Sequence, residues 1–320
     1  MDKKKVFITS QIPDIGINLL IKKGFQVEIF KGKNQIKSNE LIKRAKDSSA
    51  LITLLSDKVD KEIIDHLYKT KIIANYAVGF NNIDIEYARQ KGIVVTNTPD
   101  VLTESTADLT LALILACSRR IYEGIELVKN RKFKGWAPKL LLGKELNNKT
   151  VGIIGMGRIG AAVAKRVRAF GCNVIYFSNN RNLIAEEAAN AKKVSLTELL
   201  RKSDIISIHV PLNVKTKNLI NEEKLELMKS DAILINTARG EVIDEKYLIK
   251  MLKNKRIFSA GFDVYQNEPQ INPELLKLEN VIALPHIGSA TFEARNKMSE
   301  LVAKNVIAVL SGKRPLTPVN

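Results

Sequence analysis

The chain has 320 residues, 45% of them hydrophobic, which is longer than one core usually grows, so two domains with separate cores are expected. A formal charge of +17, from 51 Lys+Arg against 34 Asp+Glu, would permit contact with nucleic acid, but the cations are scattered as pairs in segments such as LIKKG, AKKVS and MLKNKR without aromatic residues between them, and mark solvated helix faces. The longest apolar run, residues 109–117, is far short of a membrane span, and Cys117 and Cys172 make neither a disulfide framework nor a metal cluster; a protein of the reducing cytoplasm without membrane, metal or nucleic-acid partner is expected.

In chain order, the basic Lys3, Lys4 and Lys5 precede VFITSQIPDIG, which Gln11, Pro13 and Asp14 interrupt and which lacks a small-residue cleavage site. It reads as a first strand, not a leader. The first hundred residues then alternate strand-like KVFIT, FQVEIF, SALITLL, KIIANYAV and IVVTNTP with helix-like DIGINLLIKKG, SNELIKRAKD, KEIIDHLYKT and IDIEYARQKG. Short apolar runs joined by segments of period 3.6 indicate parallel βαβ units. From Asp100 a single long helix is expected through VLTESTADLTLALILACSRRIYEGIELV, apolar nearly all round and therefore buried between domains or subunits. The connector RKFKGWAPKLLLGKELNNK, with the only tryptophan, Trp136, reads as loop.

At Thr150 the run TVGIIGMGRIG ends in Gly155-x-Gly157-x-x-Gly160 and leads directly into the helical AAVAKRVRAFG. Strand, glycine turn and helix in this order suit a dinucleotide's pyrophosphate: Gly155 makes the tight turn, Gly157 leaves room for the diphosphate, and Gly160 lets the helix pack on the strand. The anion would then lie at the helix N-terminus, beside Arg158 and Ile159. A second alternating series follows through NVIYFS, KKVSLTELLRKS, DIISIHVPL, DAILINTA, SAGFDVY and VIALPH, counted as six strands, enough for a dinucleotide-binding sheet. After His286 a helix long enough to cross back is expected. The chain is thus read as α/β, with a discontinuous small domain of residues 1–99 and 289–320, a cofactor-binding domain of 100–288, and a catalytic cleft between them.

NTARGEVID at 236–244, DVYQNEP at 263–269 and LPHIGSAT at 284–291, in this order after the glycine turn, together with VGFNNID at 78–84 and TADLTLALIL at 106–115, give the chain its likeness to a known group. It resembles the D-isomer-specific 2-hydroxyacid dehydrogenases over essentially its whole length. That resemblance implies a flavodoxin-like substrate domain and a Rossmann-type cofactor domain. It also implies Arg239, in a loop at the carboxyl end of a strand, as the residue that binds the substrate carboxylate and polarises the keto oxygen through a planar fork. His286 is implied as the general acid in reduction and the base in the reverse direction, with Glu268 accepting its ring N–H and raising its pKa. The family's formate dehydrogenases carry glutamine where this chain has Glu268, so a carboxylate here favours ketone reduction. Backbone N–H groups at Val78 and Gly79, and Ser289, complete the implied substrate contacts. Thr106, His209, Val210, Pro211, Thr216, Thr237, Ala238 and Asp263 are implied to line the cofactor, His209 without a part in proton transfer.

An NAD-preferring site carries an acid at the end of the second strand, about 20 residues on, to hold the ribose 2′-hydroxyl. Ser178 stands there, followed by Asn179, Asn180 and Arg181. No carboxylate repels a 2′-phosphate, and Arg181 can pair with it. NADPH is therefore the expected cofactor, with NADH possible. The HIGSAT run resembles glyoxylate and hydroxypyruvate reductases and phosphoglycerate dehydrogenases more than D-lactate dehydrogenases. With the chain ending at Asn320, the regulatory domain of long phosphoglycerate dehydrogenases is not expected. The expected activity is reduction of glyoxylate or hydroxypyruvate to the D-2-hydroxy acid. A short NAD-linked phosphoglycerate dehydrogenase, a 2-ketogluconate reductase and a nicotinamide-sensing corepressor remain the alternatives. The apolar helix and the resemblance together imply a homodimer.

Overall fold

The structure, a computed structural model, describes residues 3–320; Met1 and Asp2, where the expected first domain begins, lie outside the described residues. The chain divides into two compact units, one running to Leu102 and resumed over Ala290–Asn320, the other spanning Thr103–Ser289.

The first unit opens with β1 (Lys5–Ile8), α1 (Asp14–Lys22), β2 (Gln26–Ile29), α2 (Ser38–Ala45), β3 (Ala50–Thr53), α3 (Lys61–Asp65), β4 (Ile72–Asn75), α4 (Ile85–Gln90) and β5 (Val94–Thr96). All five strands are parallel, in the order β2-β1-β3-β4-β5. This is the flavodoxin-like order. Every residue of β3 and β4 is buried, as a sheet covered on both faces requires. Asp60 and Asp84 cap their helices by accepting from the amides of Ile63 (3.3 Å) and Tyr87 (3.0 Å), which explains why α3 and α4 start where they do.

The second unit contains α5 (Thr103–Ser118), α6 (Ile121–Lys129), β6 (Thr150–Ile154), α7 (Arg158–Ala169), β7 (Asn173–Phe177), α8 (Leu183–Ala189), β8 (Lys192–Lys193), α9 (Leu196–Lys202), β9 (Ile205–Ile208), α10 (Glu222–Leu225), β10 (Ile233–Asn236), α11 (Glu245–Lys253), β11 (Ser259–Phe262), α12 (Pro273–Leu276) and β12 (Val281–Ala283). Its sheet is parallel with order β12-β11-β10-β9-β6-β7-β8. Read from β6, this is the dinucleotide-binding order extended by one strand. The sheet has seven strands where six are expected; β8, only two residues long, lies at the start of KKVSLTELLRKS and pairs with Ile175 and Tyr176 of β7. The connector 131–149 carries neither helix nor strand.

The expected single helix from Asp100 is in fact two. It breaks at Arg119 and Arg120, where Arg120 has φ 53° and the Ser118 carbonyl accepts from the Lys144 amide at 2.7 Å. That long-range amide caps α5 from outside the helix. Burial therefore applies to α5, which packs Ala107, Leu113, Ile114 and Cys117 into the unit's core, and not to α6, none of whose residues is buried.

The chain returns to the first unit through α13 (Phe292–Leu310), capped by Thr291. It lies close against α1. The Gly16 amide donates to Ser299 Oγ at 3.2 Å, and a Cβ at Gly16 would stand 2.1 Å from the Ser299 carbonyl oxygen. Beyond α13, Val319 N donates to Val95 O (2.9 Å) and Asn320 Oδ1 accepts from Val95 N (2.8 Å), tying these residues to β5.

Candidate active site

The glycine turn follows β6 as its sequence demands. Gly155 has φ 101°, and a Cβ there would meet the His209 backbone at 2.7 Å; a Cβ on Gly160 would stand 2.1 Å from the Gly155 carbonyl oxygen. At Gly157 a Cβ would meet nothing within 4 Å. Helix α7 begins at Arg158 with no side-chain cap and no acid in its first turn. Its first amides and dipole are thus presented to an anion beside open space, and these residues fit a dinucleotide's diphosphate.

Around this turn lie the loops after β7 and β9. Asn182 Nδ2 donates to the Met156 carbonyl at 3.0 Å and so draws the second-strand loop against the glycines. In that loop Ser178 is half-buried, while Asn179 and Arg181 are exposed. Arg181, expected to be available for a phosphate, is paired with Glu186: its Nε lies 3.1 Å from Glu186 Oε1 while Nη2 engages Oε2. After β9, Val210 borders Gly155, and Thr216 Oγ1 accepts from the Asn213 amide at 2.9 Å and donates to the Pro211 carbonyl. His209 Nε2 lies 2.8 Å from Ser207 Oγ, and burial pushes its pKa down to about 3. It is a neutral imidazole at working pH.

At the end of β10 the buried Asn236 folds the loop that follows. Its Oδ1 accepts from the Ala238 amide (3.0 Å) and its Nδ2 donates to the Arg239 carbonyl (2.8 Å). Thr237 Oγ1 lies 3.0 Å from Thr110 Oγ1, joining the loop to α5. Arg239 Nη1 donates to the Ala238 carbonyl at 2.6 Å. Burial pushes the Arg239 pKa down, and the charges of Glu268 and Glu241 oppose it. A guanidinium remains cationic through this.

Beyond β11, the segment from Asp263 to Glu268 holds His286 from two sides. Buried Asp263 accepts from the amides of Ile287 and Gly288, each at 2.7 Å, while Thr106 Oγ1 donates to the Gly288 carbonyl at 3.2 Å. Asp263, expected among the cofactor contacts, thus has both oxygens on the histidine loop. Burial raises its pKa against these two donors. His286 itself has φ 55°, a conformation uncommon outside glycine, which the flanking bonds over-determine. Its Nδ1 lies 2.7 Å from Glu268 Oε2, and Glu268 Oε1 accepts from the Tyr265 amide at 2.9 Å. Burial would raise the Glu268 pKa, but the bond and charge of His286, the Tyr265 amide and Arg239 outweigh it and hold the carboxyl below its ordinary value. Tyr265 Oη also donates to the Leu284 carbonyl at 2.8 Å, just before the histidine, and half-buried Ser289 follows it. Among the described residues no His/Cys/Asp/Glu group is arranged to hold a metal ion.

In the first unit, Val78 and Gly79 form a loop whose peptide planes are pinned. The Ala77 carbonyl accepts from the Thr98 amide (2.9 Å), the Val78 carbonyl from Asn97 Nδ2 (2.8 Å) and the Gly79 carbonyl from Asn75 Nδ2 (2.8 Å). In a planar trans peptide the N–H opposes the C=O, so these bonds set the directions of the Val78 and Gly79 amides. Asn75, fully buried, accepts in turn from Thr53 Oγ1 at 3.0 Å. Asn75, Asn97, Asn236 and Tyr265 escaped the sequence reading. For Asn75 and Asn236 a signal exists: each is an amide closing an otherwise apolar strand, in KIIAN and AILIN.

Sheet order, glycine turn and uncapped α7 together define a dinucleotide-binding fold, with an Arg, Glu and His set in loops that follow strands of the same unit. Residues 111–288 match the model of the D-isomer specific 2-hydroxyacid dehydrogenase NAD binding domain. Two glyoxylate reductases are similar over 99% of this chain: that of Thermococcus litoralis at 51% identity, covering 97% of the relative, and that of Pyrococcus horikoshii at 49%, covering 96%. The crystal structure of an NADPH-dependent glyoxylate/hydroxypyruvate reductase from Sinorhizobium meliloti, with NADP and malonate, superposes with TM-score 0.87 at 30% identity over 99% of this chain and 97% of that one. The chain belongs to the D-isomer-specific 2-hydroxyacid dehydrogenase family. It is an oxidoreductase with a nicotinamide-dinucleotide-binding domain, and among the described residues no helix is long and apolar enough to cross a membrane.

Proposed function

We propose that the chain reduces glyoxylate and hydroxypyruvate to the D-2-hydroxy acid, with NADPH preferred and NADH accepted. The observation that carries this reading is the 2.7 Å contact between His286 Nδ1 and Glu268 Oε2. An ionised carboxylate only accepts, so the Nδ1 proton is held there and Nε2 is the atom left to deliver a proton to the keto oxygen. A bound reduced nicotinamide supplies the hydride for the keto carbon. Arg239 binds the substrate carboxylate and polarises the keto oxygen, Val78 and Gly79 donate amides to the carboxylate, and Ser289 adds a contact. Gly155, Gly157, Arg158, Ile159 and Gly160 surround the diphosphate. Thr106, His209, Val210, Pro211, Thr216, Thr237 and Ala238 line the dinucleotide, and Ser178, Asn179 and Arg181 meet its adenosine ribose. The names of the two relatives near half identity support the substrate, and the absence of an acid at Ser178 supports the cofactor.

Initial rates of cofactor oxidation at 340 nm test this, with glyoxylate, hydroxypyruvate, pyruvate and 2-ketogluconate each paired with NADPH and NADH. The expected result is highest kcat/KM for the first two acids with NADPH. Turnover with NADH alone would reject the cofactor assignment, and no turnover on any keto acid would reject the activity.

The chain is further proposed to form a homodimer and to work in the reducing cytoplasm. Helix α6 and the connector expose Ile121, Ile125, Val128, Phe133 and Leu142, and Trp136 is 83% exposed. So much apolar surface in one segment suits a second copy of the chain, as a homodimer. Light scattering after gel filtration should give twice the chain mass at micromolar concentration, and a monomer would refute it. Cys117 and Cys172 are both free thiols in buried positions, in keeping with the reducing cytoplasm.

A further inference from the structure

The Arg181–Glu186 pair is a feature of the ribose loop that its sequence does not announce. Glu186 lies on α8 and its side chain is only 15% exposed, while that of Arg181 is 65% exposed. The carboxylate is the fixed member. Tyr176, a buried residue of β7, donates its hydroxyl to Glu186 Oε1, and the same oxygen takes Arg181 Nε at 3.1 Å as Oε2 takes Nη2. Lys192 and Lys193 border the same surface depression, and Lys193 Nζ donates to the Asn179 carbonyl at 3.0 Å. The loop is therefore cationic, but its arginine is neutralised by a carboxylate of the chain itself.

We infer that Glu186 is a specificity-determining residue that sets how strongly the chain prefers NADPH over NADH, by holding the Arg181 guanidinium to itself in competition with a 2′-phosphate. The inference rests on the reading that residues 178–181 receive the adenosine ribose. A bidentate guanidinium–carboxylate pair and a guanidinium–phosphate pair use the same planar donors, so one is made at the other's expense. NADH lacks the phosphate and is indifferent to the exchange. Arg181 and Tyr176 hold Glu186 at a pKa of about 2, so protonation near neutrality does not release the arginine; substitution does.

Glu186→Gln keeps the shape and removes the charge. Dissociation constants are measured on the enzyme without substrate, by nicotinamide fluorescence for NADPH and NADH and by calorimetry for adenosine 2′,5′-bisphosphate and ADP. Because the arginine of the pair is exposed to solvent, Glu186→Gln should tighten NADPH and the bisphosphate by up to about fivefold, with NADH and ADP within about twofold. Arg181→Gln should weaken NADPH by a similar factor and abolish the gain in the double variant. If Glu186→Gln does not fold, Glu186→Asp, whose carboxylate is drawn back from the guanidinium by one methylene, should give part of the gain. NADPH affinity unchanged or weakened in the Glu186 variants, with Arg181→Gln still weakening it, overturns the role of Glu186 and leaves the ribose-loop reading intact. Arg181→Gln without effect on either dinucleotide overturns the loop reading and this inference together.

Discussion

Replacing His286 with alanine is expected to lower turnover of the keto acid by roughly 10²–10⁴ while NADPH affinity stays nearly unchanged. The imidazole is the proton source for the keto oxygen in the proposed reaction, and without it the alkoxide formed by hydride arrival must take its proton from water. Binding should survive because the loop is held by its backbone: Asp263 grips the amides of Ile287 and Gly288, and Thr106 grips the Gly288 carbonyl. None of these bonds uses the imidazole. Single-turnover rates with equilibrium binding of NADPH separate the two effects. Wild-type turnover would remove His286 from proton transfer.

The second large effect is expected at Arg239. Lysine in its place keeps the charge but loses the planar fork, and one lost charge-assisted bond, worth about 1.5–3 kcal/mol, corresponds to roughly 10- to 100-fold in kcat/KM. Substrate KM should carry much of the loss, since the fork binds the ground-state carboxylate, and NADPH affinity should not change. The variant gives up the Arg239 Nη1 bond to the Ala238 carbonyl, but Asn236 still holds the Ala238 amide and the carbonyl of residue 239, so the backbone of the 237–239 turn should persist. A kcat/KM equal to wild type would count against the proposed role.

Much of the fold was legible because its signals are local. Buried parallel strands announce themselves as short apolar runs, as in ALIT and ILIN, and the glycine turn is legible because each glycine answers a separate steric demand. What escaped depends on partners far along the chain. The helix break at Arg120 follows from an amide at Lys144 reaching the Ser118 carbonyl, and no periodicity in residues 101–128 records that. Strand β8 is too short to show alternation and exists because β7 offers it an edge. At the site, Glu268 beside His286 is what the family resemblance implies, but the use of both Asp263 oxygens on the histidine loop is not, since 263 and 287 are brought together by adjacent strand ends. Asn75 and Asn236 were readable in principle as amides where an apolar strand stops, but only the fold shows which carbonyls they hold.

The return of residues 290–320 to the first unit has a consequence for how the polypeptide matures. Residues 103–289 form a continuous stretch with their own sheet and core, so once synthesised this unit has all its parts. The five-stranded sheet, though translated earlier, needs α13 against α1 and the pairing of Val319 and Asn320 with β5, and these arrive about two hundred residues later. Vectorial synthesis ordinarily lets the leading domain fold first; here the leading unit is expected to close after the trailing one. The nascent chain carries an incomplete leading unit while the trailing one closes, and shortening the carboxyl end would injure the half of the molecule that left the ribosome first.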